Sequence, residues 1–338
     1  TNTLVTGFTM TSPAGGCADG TCGYEHGVIC QAASSPMITN CVITGCALNG
    51  VDLKDASNPV LIGVQIEDCA IGVSAAGGST PTLRDMTIEN CLKGVYASGS
   101  DGLKIEDSLI QNCGGRGVYV TGDASPSVIN SSLLNNLGGA TFVGGRPVVD
   151  QCVIDGNIAP DYYQAGAIFK STFNIALLAV STDGMTDVTN DDENGAGILL
   201  LDGAALEIQN TILSDNNAVA LDPDYPERKS VPDYGLGGGL YVGTSCYSTN
   251  MNNTYADNEA RRGGGVSSHG DVEDDYLRNT ILWDNFTEDK WVESLTYSVT
   301  NLSIGGIENG VTNFVPEVED ITTNWLVVVE TPEFRSLH

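Results

Sequence analysis

The sequence predicts an all-β solenoid, a right-handed parallel β-helix, because one strand-and-turn unit recurs about every 22 residues along most of it. The first marker of this unit is a Gly that precedes a short apolar strand, and the first five are 23, 22, 22 and 23 residues apart. In one degenerate row, Ala140 takes the place of the Gly. The Gly markers are Gly27, Gly50, Gly72, Gly94, Gly117, Gly166, Gly197, Gly239 and Gly265.

Two further markers complete the unit. A Pro marks the corner where the next strand begins, because Pro cannot donate a hydrogen bond to a strand ladder. The last marker is Cys in the early units and Asn in the later ones. We expect these Cys to be small buried hydrophobes and these Asn to stack and to satisfy backbone groups of the turns. The members are Pro36, Pro59, Pro81, Pro126 and Pro147, then Cys46, Cys69, Cys91 and Cys113, then Asn136, Asn157, Asn216, Asn258 and Asn285.

Each unit offers two or three strands that are too short to be stable alone. Stacked units would bury a shared apolar interior, with parallel strands about 4.8 Å apart. A β-propeller is excluded because its blades need about 40 residues each, and leucine-rich repeats are excluded because a regular Leu framework is absent. The residues expected to point inward are Val51, Leu53, Val95, Ala97, Val118 and Val120.

Composition narrows the partners. The 338 residues include 14 basic and 43 acidic side chains, for a net charge of −29. Such a surface repels phosphate backbones, so nucleic acid is excluded as a partner. The absence of an apolar run of membrane-spanning length argues against membrane insertion. Acidic side chains also supply the hard oxygen ligands that Ca²⁺ prefers.

Cysteine usage bears on the compartment. None of the ten Cys forms a CxxC pair, so zinc and haem sites are not predicted. Cys17 and Cys22 lie in a Gly-rich loop, where we predict a local disulfide. Such a bond would suit an oxidising compartment, so we expect a secreted or cell-surface protein.

The units lengthen after Gly117, and the extra residues fall mostly between the Asn turn and the next Gly strand. Insertions at one corner of a solenoid lie on one face, where they often make a binding surface. One of them is rich in carboxylates, and we predict an irregular Ca²⁺ site there as an alternative to a solvated acidic loop. Its candidate ligands are Asp183, Asp187, Asp191, Asp192 and Glu193.

An aromatic column is the candidate contact surface for sugars. Tyr96, Tyr119 and Phe142 are expected on the same outward column of successive coils, with Asp52 and Ser74 before them. Aromatic faces repeated once per coil suit stacking on sugar rings. Ordinary cross-strand stacking would explain the same pattern.

The chain resembles secreted bacterial proteins with right-handed parallel β-helix repeats, of the pectate-lyase-like superfamily. The resemblance lies in Asn2–Met10, in Gly27–Gln31 with Ser35–Gly45, and in Asn279–Asn285. It covers about residues 2–310 and is specific for the fold. Lyases of this fold abstract a proton beside a uronate carboxylate with an Arg or Lys, and the resemblance makes Arg84 and Lys104 weak catalytic candidates, because we expect them in one column on adjacent coils.

These observations lead to three hypotheses. The leading one is a non-catalytic, secreted or cell-surface β-helix module for adhesion, carbohydrate contact or extracellular assembly. The alternatives are a polysaccharide lyase, or another carbohydrate-active enzyme, acting on acidic glycans, and a subunit that stacks on copies of itself. We expect about ten coils over residues 1–310, followed by a C-terminal strand or cap over 311–338 that could lead into a further domain.

Overall fold

The computed structural model describes residues 3–11, 26–159, 195–218, 235–260, 263–268, 276–278, 280–283, 285–287, 298–300 and 303–305. In these ranges the regular secondary structure consists of short β-strands, and no helix is long and apolar enough to cross a membrane. A coil is one turn of the solenoid, with one strand in each of up to three long sheets. Coils 9 and 10 each add one strand to a short fourth sheet.

The strands are numbered along the chain. Coils 1 to 4 contain β1 Leu4–Thr6, β2 Thr9–Thr11, β3 Val28–Cys30, β4 Met37–Thr39, β5 Val42–Thr44, β6 Asn49–Leu53, β7 Val60–Ile62, β8 Gln65–Glu67, β9 Ile71–Ala75, β10 Thr82–Arg84, β11 Thr87–Glu89 and β12 Lys93–Ser98. Coils 5 to 8 contain β13 Lys104–Glu106, β14 Leu109–Gln111, β15 Val118–Thr121, β16 Ser127–Ile129, β17 Ser132–Leu134, β18 Ala140–Val143, β19 Val148–Asp150, β20 Val153–Asp155, β21 Ile198–Leu201, β22 Ala205–Gln209, β23 Ile212–Ser214 and β24 Leu240–Val242. Coils 9 to 11 contain β25 Tyr247–Met251, β26 Thr254–Ala256, β27 Glu259–Ala260, β28 Val266–Ser268, β29 Tyr276–Arg278, β30 Ile281–Trp283, β31 Phe286–Thr287, β32 Ser298–Thr300 and β33 Ser303–Gly305.

Three long parallel sheets form the walls of the solenoid. Sheet A runs from β1 through β4 and β7 to β32, and sheet B runs from β2 through β5 and β8 to β33, with 11 strands each. Sheet C has 9 strands, from β3 through β6 and β9 to β28. Consecutive strands along the chain therefore lie in different sheets, and each strand pairs with its counterpart one coil away. This is the topology of a parallel β-helix, and the predicted fold class is confirmed.

The core lies between the three sheets. Alternate side chains of each strand point inward, and in the middle of the solenoid they are fully buried. The predicted inward positions Val51, Leu53, Val95 and Ala97 have 0% of their surface exposed, as does Val118, whereas Val120 has 2% exposed. The prediction of a continuous apolar interior is therefore confirmed.

An asparagine ladder follows the corner between sheets B and C. The Asn157 side chain donates to Asn216 Oδ1 over 2.9 Å, and Asn216 donates to Asn258 Oδ1 over 2.8 Å. Each side-chain oxygen also accepts from a backbone N–H of the preceding coil, as Asn136 does from Cys113 over 2.9 Å. These bonds confirm the predicted stacking of the Asn side chains. The ladder forms because the buried backbone groups of the turns need a hydrogen-bond partner within the protein.

The Cys column occupies the same corner in the earlier coils. Cys46, Cys69, Cys91 and Cys113 are all free and buried. The hydrogen bond that the Cys46 thiol donates to Cys69, together with burial, raises the pKa of Cys46. Burial raises the pKa of Cys113 to about 12. The thiols of Cys46 and Cys113 therefore stay protonated at neutral pH. All four side chains of the column act as small buried hydrophobes, as predicted.

The buried thiols should make stability fall as the pH becomes alkaline. Burial raises the pKa of Cys113 to about 12 and that of Cys152 to about 11, whereas an unfolded thiol loses its proton near pH ~8.5. The stabilisation is therefore complete below pH ~8.5 and falls by about 1.4 kcal/mol per pH unit and thiol until the folded pKa is reached. Urea unfolding between neutral pH and pH ~10 measures this slope, and Cys113→Ala should reduce it. An equal slope in both proteins would contradict the assignment.

One predicted row has the wrong register. Val118 N donates to Gly139 O over 2.9 Å, just as Val95 N donates to Gly117 O over 2.8 Å, so Gly139 holds the Gly position. Ala140 does not replace it, because Ala140 pairs with Val118 one position later. The row predicted at Gly166 is also wrong, because β18 pairs directly with β21 and leaves no coil between them.

The long insertions leave the solenoid at a single corner. Residues 160–194 separate β20 of sheet B from β21 of sheet C, and residues 219–234 separate β23 from β24. The predicted placement after the Asn turn is therefore confirmed. Three predictions lie outside the described residues: the Cys17–Cys22 disulfide, the C-terminal segment 311–338, and the calcium ligands Asp183, Asp187, Asp191, Asp192 and Glu193.

Candidate functional site

An outward column on sheet C brings polar and aromatic side chains into line. Asp52 pairs with Ser74, Ser74 with Tyr96, and Tyr96 with Tyr119, so these four residues stand one above another on coils 2 to 5. At about 4.8 Å per coil the column is about 14 Å long. We call these four residues the sheet C platform.

The two tyrosine rings of the platform are stacked. Their centroids are 5.9 Å apart and their planes differ by 15°. The Lys93 ammonium lies 5.3 Å from the Tyr96 centroid and 4.9 Å from the Tyr119 centroid. A cation at this distance is attracted by the electron-rich ring faces. Both rings are partly exposed, whereas the Ser74 that precedes them on the column is small and almost buried.

A local break in the strand alternation places Lys93 beside the rings. Gly94 and Val95 are both buried, so Lys93 before them and Tyr96 after them point to the same outer face. Only Gly fits between them, because a Cβ on Gly94 would lie 2.4 Å from Gly117 O and 2.5 Å from Ile110 Cγ2. The Gly marker of the repeat therefore also builds the platform.

A charged cluster lies at the N-terminal end of the platform. Asp52 is 2% exposed, and its Oδ2 lies 2.6 Å from Lys54 Nζ. His26 Nδ1 lies 3.6 Å from the same oxygen. His26 precedes Gly27 as Lys93 precedes Gly94, and each reaches the platform residue of the following coil. Sequence reasoning missed this cluster, because His26 and Asp52 are 26 positions apart and only the Gly register brings them together.

Phe142 is not part of the platform. Thr141 pairs with Tyr119, whereas Phe142 pairs with the inward Val120 and is 1% exposed. The predicted contact of Phe142 with sugars is therefore wrong, and the reason is the one-residue register error at Ala140. Because side chains alternate, a shift of one position exchanges the two faces of a strand.

The same column is covered in the later coils. Thr141 and Leu199 are fully buried, and Tyr241 is 5% exposed. Leu199 and Tyr241 pack with Leu236 into an apolar cluster outside sheet C. The open part of the column therefore ends at Tyr119.

Arg84 and Lys104 do not share a column. Arg84 pairs with Glu106, and Lys104 pairs with Thr82, so the predicted alignment is wrong by two positions. Arg84 Nε donates to Glu106 Oε2 over 3.0 Å, and its Nη2 binds the same oxygen. The Glu106 carboxylate raises the pKa of the exposed Arg84 guanidinium, which favours its charged form.

Metal ligands do not converge in the described part of the chain, where no group of three or more His, Cys, Asp or Glu side chains could hold an ion. The acidic insertion on which the Ca²⁺ prediction rests lies outside that part. The Ca²⁺ site therefore stays a prediction.

Part of the chain matches a known family model. Residues 20–159 match the family model described as right handed beta helix region, which agrees with the resemblance drawn from the sequence. A comparison with curated proteins found no match. Among solved structures the chain is similar to the catalytic domain of a GH87 alpha-1,3-glucanase in complex with tetrasaccharides, with 11% identity and a TM-score of 0.40. The similarity covers 96% of this chain and 58% of the length of that one.

Proposed function

We propose that this chain, a right-handed parallel β-helix protein, is a non-catalytic module that binds glycans and is secreted or displayed on a cell surface. The observation that carries the proposal is the stack of Tyr96 and Tyr119 on an open stretch of sheet C. Aromatic rings on a rigid scaffold provide flat apolar surfaces for the C–H faces of sugars at a small entropic cost.

The polar neighbours of the stack support the same reading. Ser74 and Asp52 continue the column but are nearly buried. The polar group beside the rings is the Lys93 ammonium, a donor suited to hydrogen bonds with sugar hydroxyls. Binding sites of this kind combine apolar surface with a few fixed polar groups that orient the ligand. Because the column runs across successive strands, an oligosaccharide would lie parallel to the solenoid axis.

The lyase alternative receives less support from the residues proposed for it. A base must lose its proton readily, and efficient bases have a pKa near the working pH. Glu106 raises the pKa of Arg84, so the guanidinium loses its proton less readily and is less suited to act as a base. Lys104 stands beside Thr82, two positions away from the guanidinium column. The proposal therefore assigns these two side chains to the surface of sheet A.

Removal of the tyrosine rings should weaken glycan binding. An aromatic contact contributes about 1 kcal/mol, so Tyr96→Ala and Tyr119→Ala should each raise the Kd about fivefold and the double variant about thirtyfold. Isothermal titration against a panel of oligosaccharides measures this change. Phe at both positions should retain most of the affinity, because the rings are preserved.

The matched control is Tyr247→Ala, which removes a partly exposed tyrosine from β25 of sheet A. It should leave the Kd unchanged. A double variant that binds as tightly as the unmodified protein would refute the platform as the binding site, and so would an equal loss in the control. Circular dichroism of each variant verifies that the fold is intact.

A further inference from the structure

We infer that the sheet C platform selects uncharged glycans and rejects polyuronates. The inference rests on the proposed function and adds the chemical class of the ligand. It follows from the state of the two lysines nearest the platform, from carboxylates along its edge, and from the charge of the whole chain.

Both lysines at the platform are already engaged. Lys93 lies within 5.3 Å of two ring centroids, and the Lys54 ammonium lies 2.6 Å from the Asp52 carboxylate. A uronate carboxylate would have to displace one of these partners in order to gain a cation. Displacement at Lys54 would leave Asp52, which is 2% exposed, without its counter-charge.

Three exposed carboxylates lie beyond the C-terminal ends of strands that carry the platform. Asp55, Asp101 and Asp123 lie at the corner between sheets C and A on coils 2, 4 and 5, and all three are exposed. Asp101 comes three residues after the strand that carries Tyr96, and Asp123 comes two residues after the strand that carries Tyr119. Exposed charges within about 10 Å of a ligand are only partly screened at ordinary ionic strength.

The electrostatic field of the whole protein also disfavours polyuronates. With a net charge of −29 the surface repels any polyanion that approaches, and the repulsion grows as salt is removed. Stacking on the tyrosine rings needs only the C–H face of a sugar, which uncharged glycans also present. Stacking on the rings therefore contributes to the binding free energy of both ligand classes. Electrostatic repulsion weakens the binding of polyuronates alone.

Isothermal titration with cellohexaose, laminarihexaose and hexagalacturonic acid, at about 20 mM and about 500 mM NaCl, tests the inference. At least one uncharged hexamer should bind with a Kd that changes less than about twofold with salt. At low salt the uronate hexamer should bind at least about tenfold more weakly than that uncharged hexamer. This difference in Kd should narrow at high salt. Tighter binding of the uronate at low salt would overturn the inference, as would equal, salt-independent binding of both classes.

A matched pair of variants locates the effect. Asp101→Asn with Asp123→Asn should narrow the difference in Kd between the uronate and the uncharged hexamers at low salt, because both carboxylates lie just beyond the strands that carry the rings. Asp85→Asn with Asp107→Asn removes the same charge from coils 4 and 5, but at the corner between sheets A and B. This control pair should narrow the difference in Kd less. Equal effects would overturn the role of the flanking carboxylates. If no hexamer of either class bound, the glycan-binding function itself would fall.

Discussion

Replacement of Asn216 by Ala should destabilise the folded protein by about 4 kcal/mol, because four buried polar groups would lose a partner at once. Asn216 Oδ1 accepts from the backbone N–H and from the side-chain amide of Asn157, over 3.2 and 2.9 Å. Its own amide donates to Ile154 O and to Asn258 Oδ1, over 2.9 and 2.8 Å. Urea unfolding, followed by far-ultraviolet circular dichroism, measures the loss.

Asn136 provides the control, because it stands at the first rung of the ladder. Its Oδ1 accepts from the backbone N–H of Cys113, and the ladder position of that coil holds Cys113 in place of an Asn. Asn136→Ala therefore leaves one donor fewer unsatisfied and should cost about 1 kcal/mol less. Equal losses at Asn136 and Asn216 would mean that the amide-to-amide bonds contribute little, and that the backbone contacts alone matter.

Replacement of Gly94 by Ala should cost about 3 kcal/mol or more, because there is no room for a methyl group. The added Cβ would lie 2.4 Å from a backbone oxygen of the next coil, Gly117 O. Coils 4 and 5 would have to separate, which weakens the bond from Val95 N to Gly117 O, now 2.8 Å long. The unfolding midpoint in urea measures the loss, and the near-ultraviolet signal of Tyr96 and Tyr119 should change with it.

A second glycine of the same strand region separates crowding from backbone strain. Gly99 has a φ of +59°, and a Cβ there would meet nothing within 4 Å. Gly99→Ala should therefore cost only about 1 kcal/mol, the ordinary penalty for a left-handed residue. Ala56 already adopts such a conformation, with a φ of 56°. If both variants lost the same stability, close approach of the coils would not be the reason for Gly94.

The scaffold could be predicted from the sequence because each coil repeats the same chemistry. The Gly, the Cys or Asn, and the apolar pairs recur in register, and each has a local reason that does not depend on distant residues. The prediction failed where the spacing became irregular. The marker lies at Gly139, one residue before the predicted Ala140, and β18 pairs directly with β21 without the coil predicted at Gly166.

The candidate site could be predicted only in part, for the same physical reason. Tyr96 and Tyr119 were placed correctly because their coils are regular, whereas Phe142 followed the displaced marker and was assigned to the wrong face. The Arg84 column was wrong by two positions. The prediction lacks the contact of His26 with Asp52 because that contact depends on the pairing of β3 with β6, in which Val28 stands opposite Val51, and not on simple alternation.

The corner between sheets B and C has a consequence for engineering. Segments 160–194 and 219–234 both begin three residues after a ladder Asn and end close before a marker Gly. The ladder bonds Asn157–Asn216 and Asn216–Asn258 continue across both breaks in sequence. The protein therefore contains natural grafting points, at which a foreign peptide of chosen length could replace the native segment while the coils on either side keep their register.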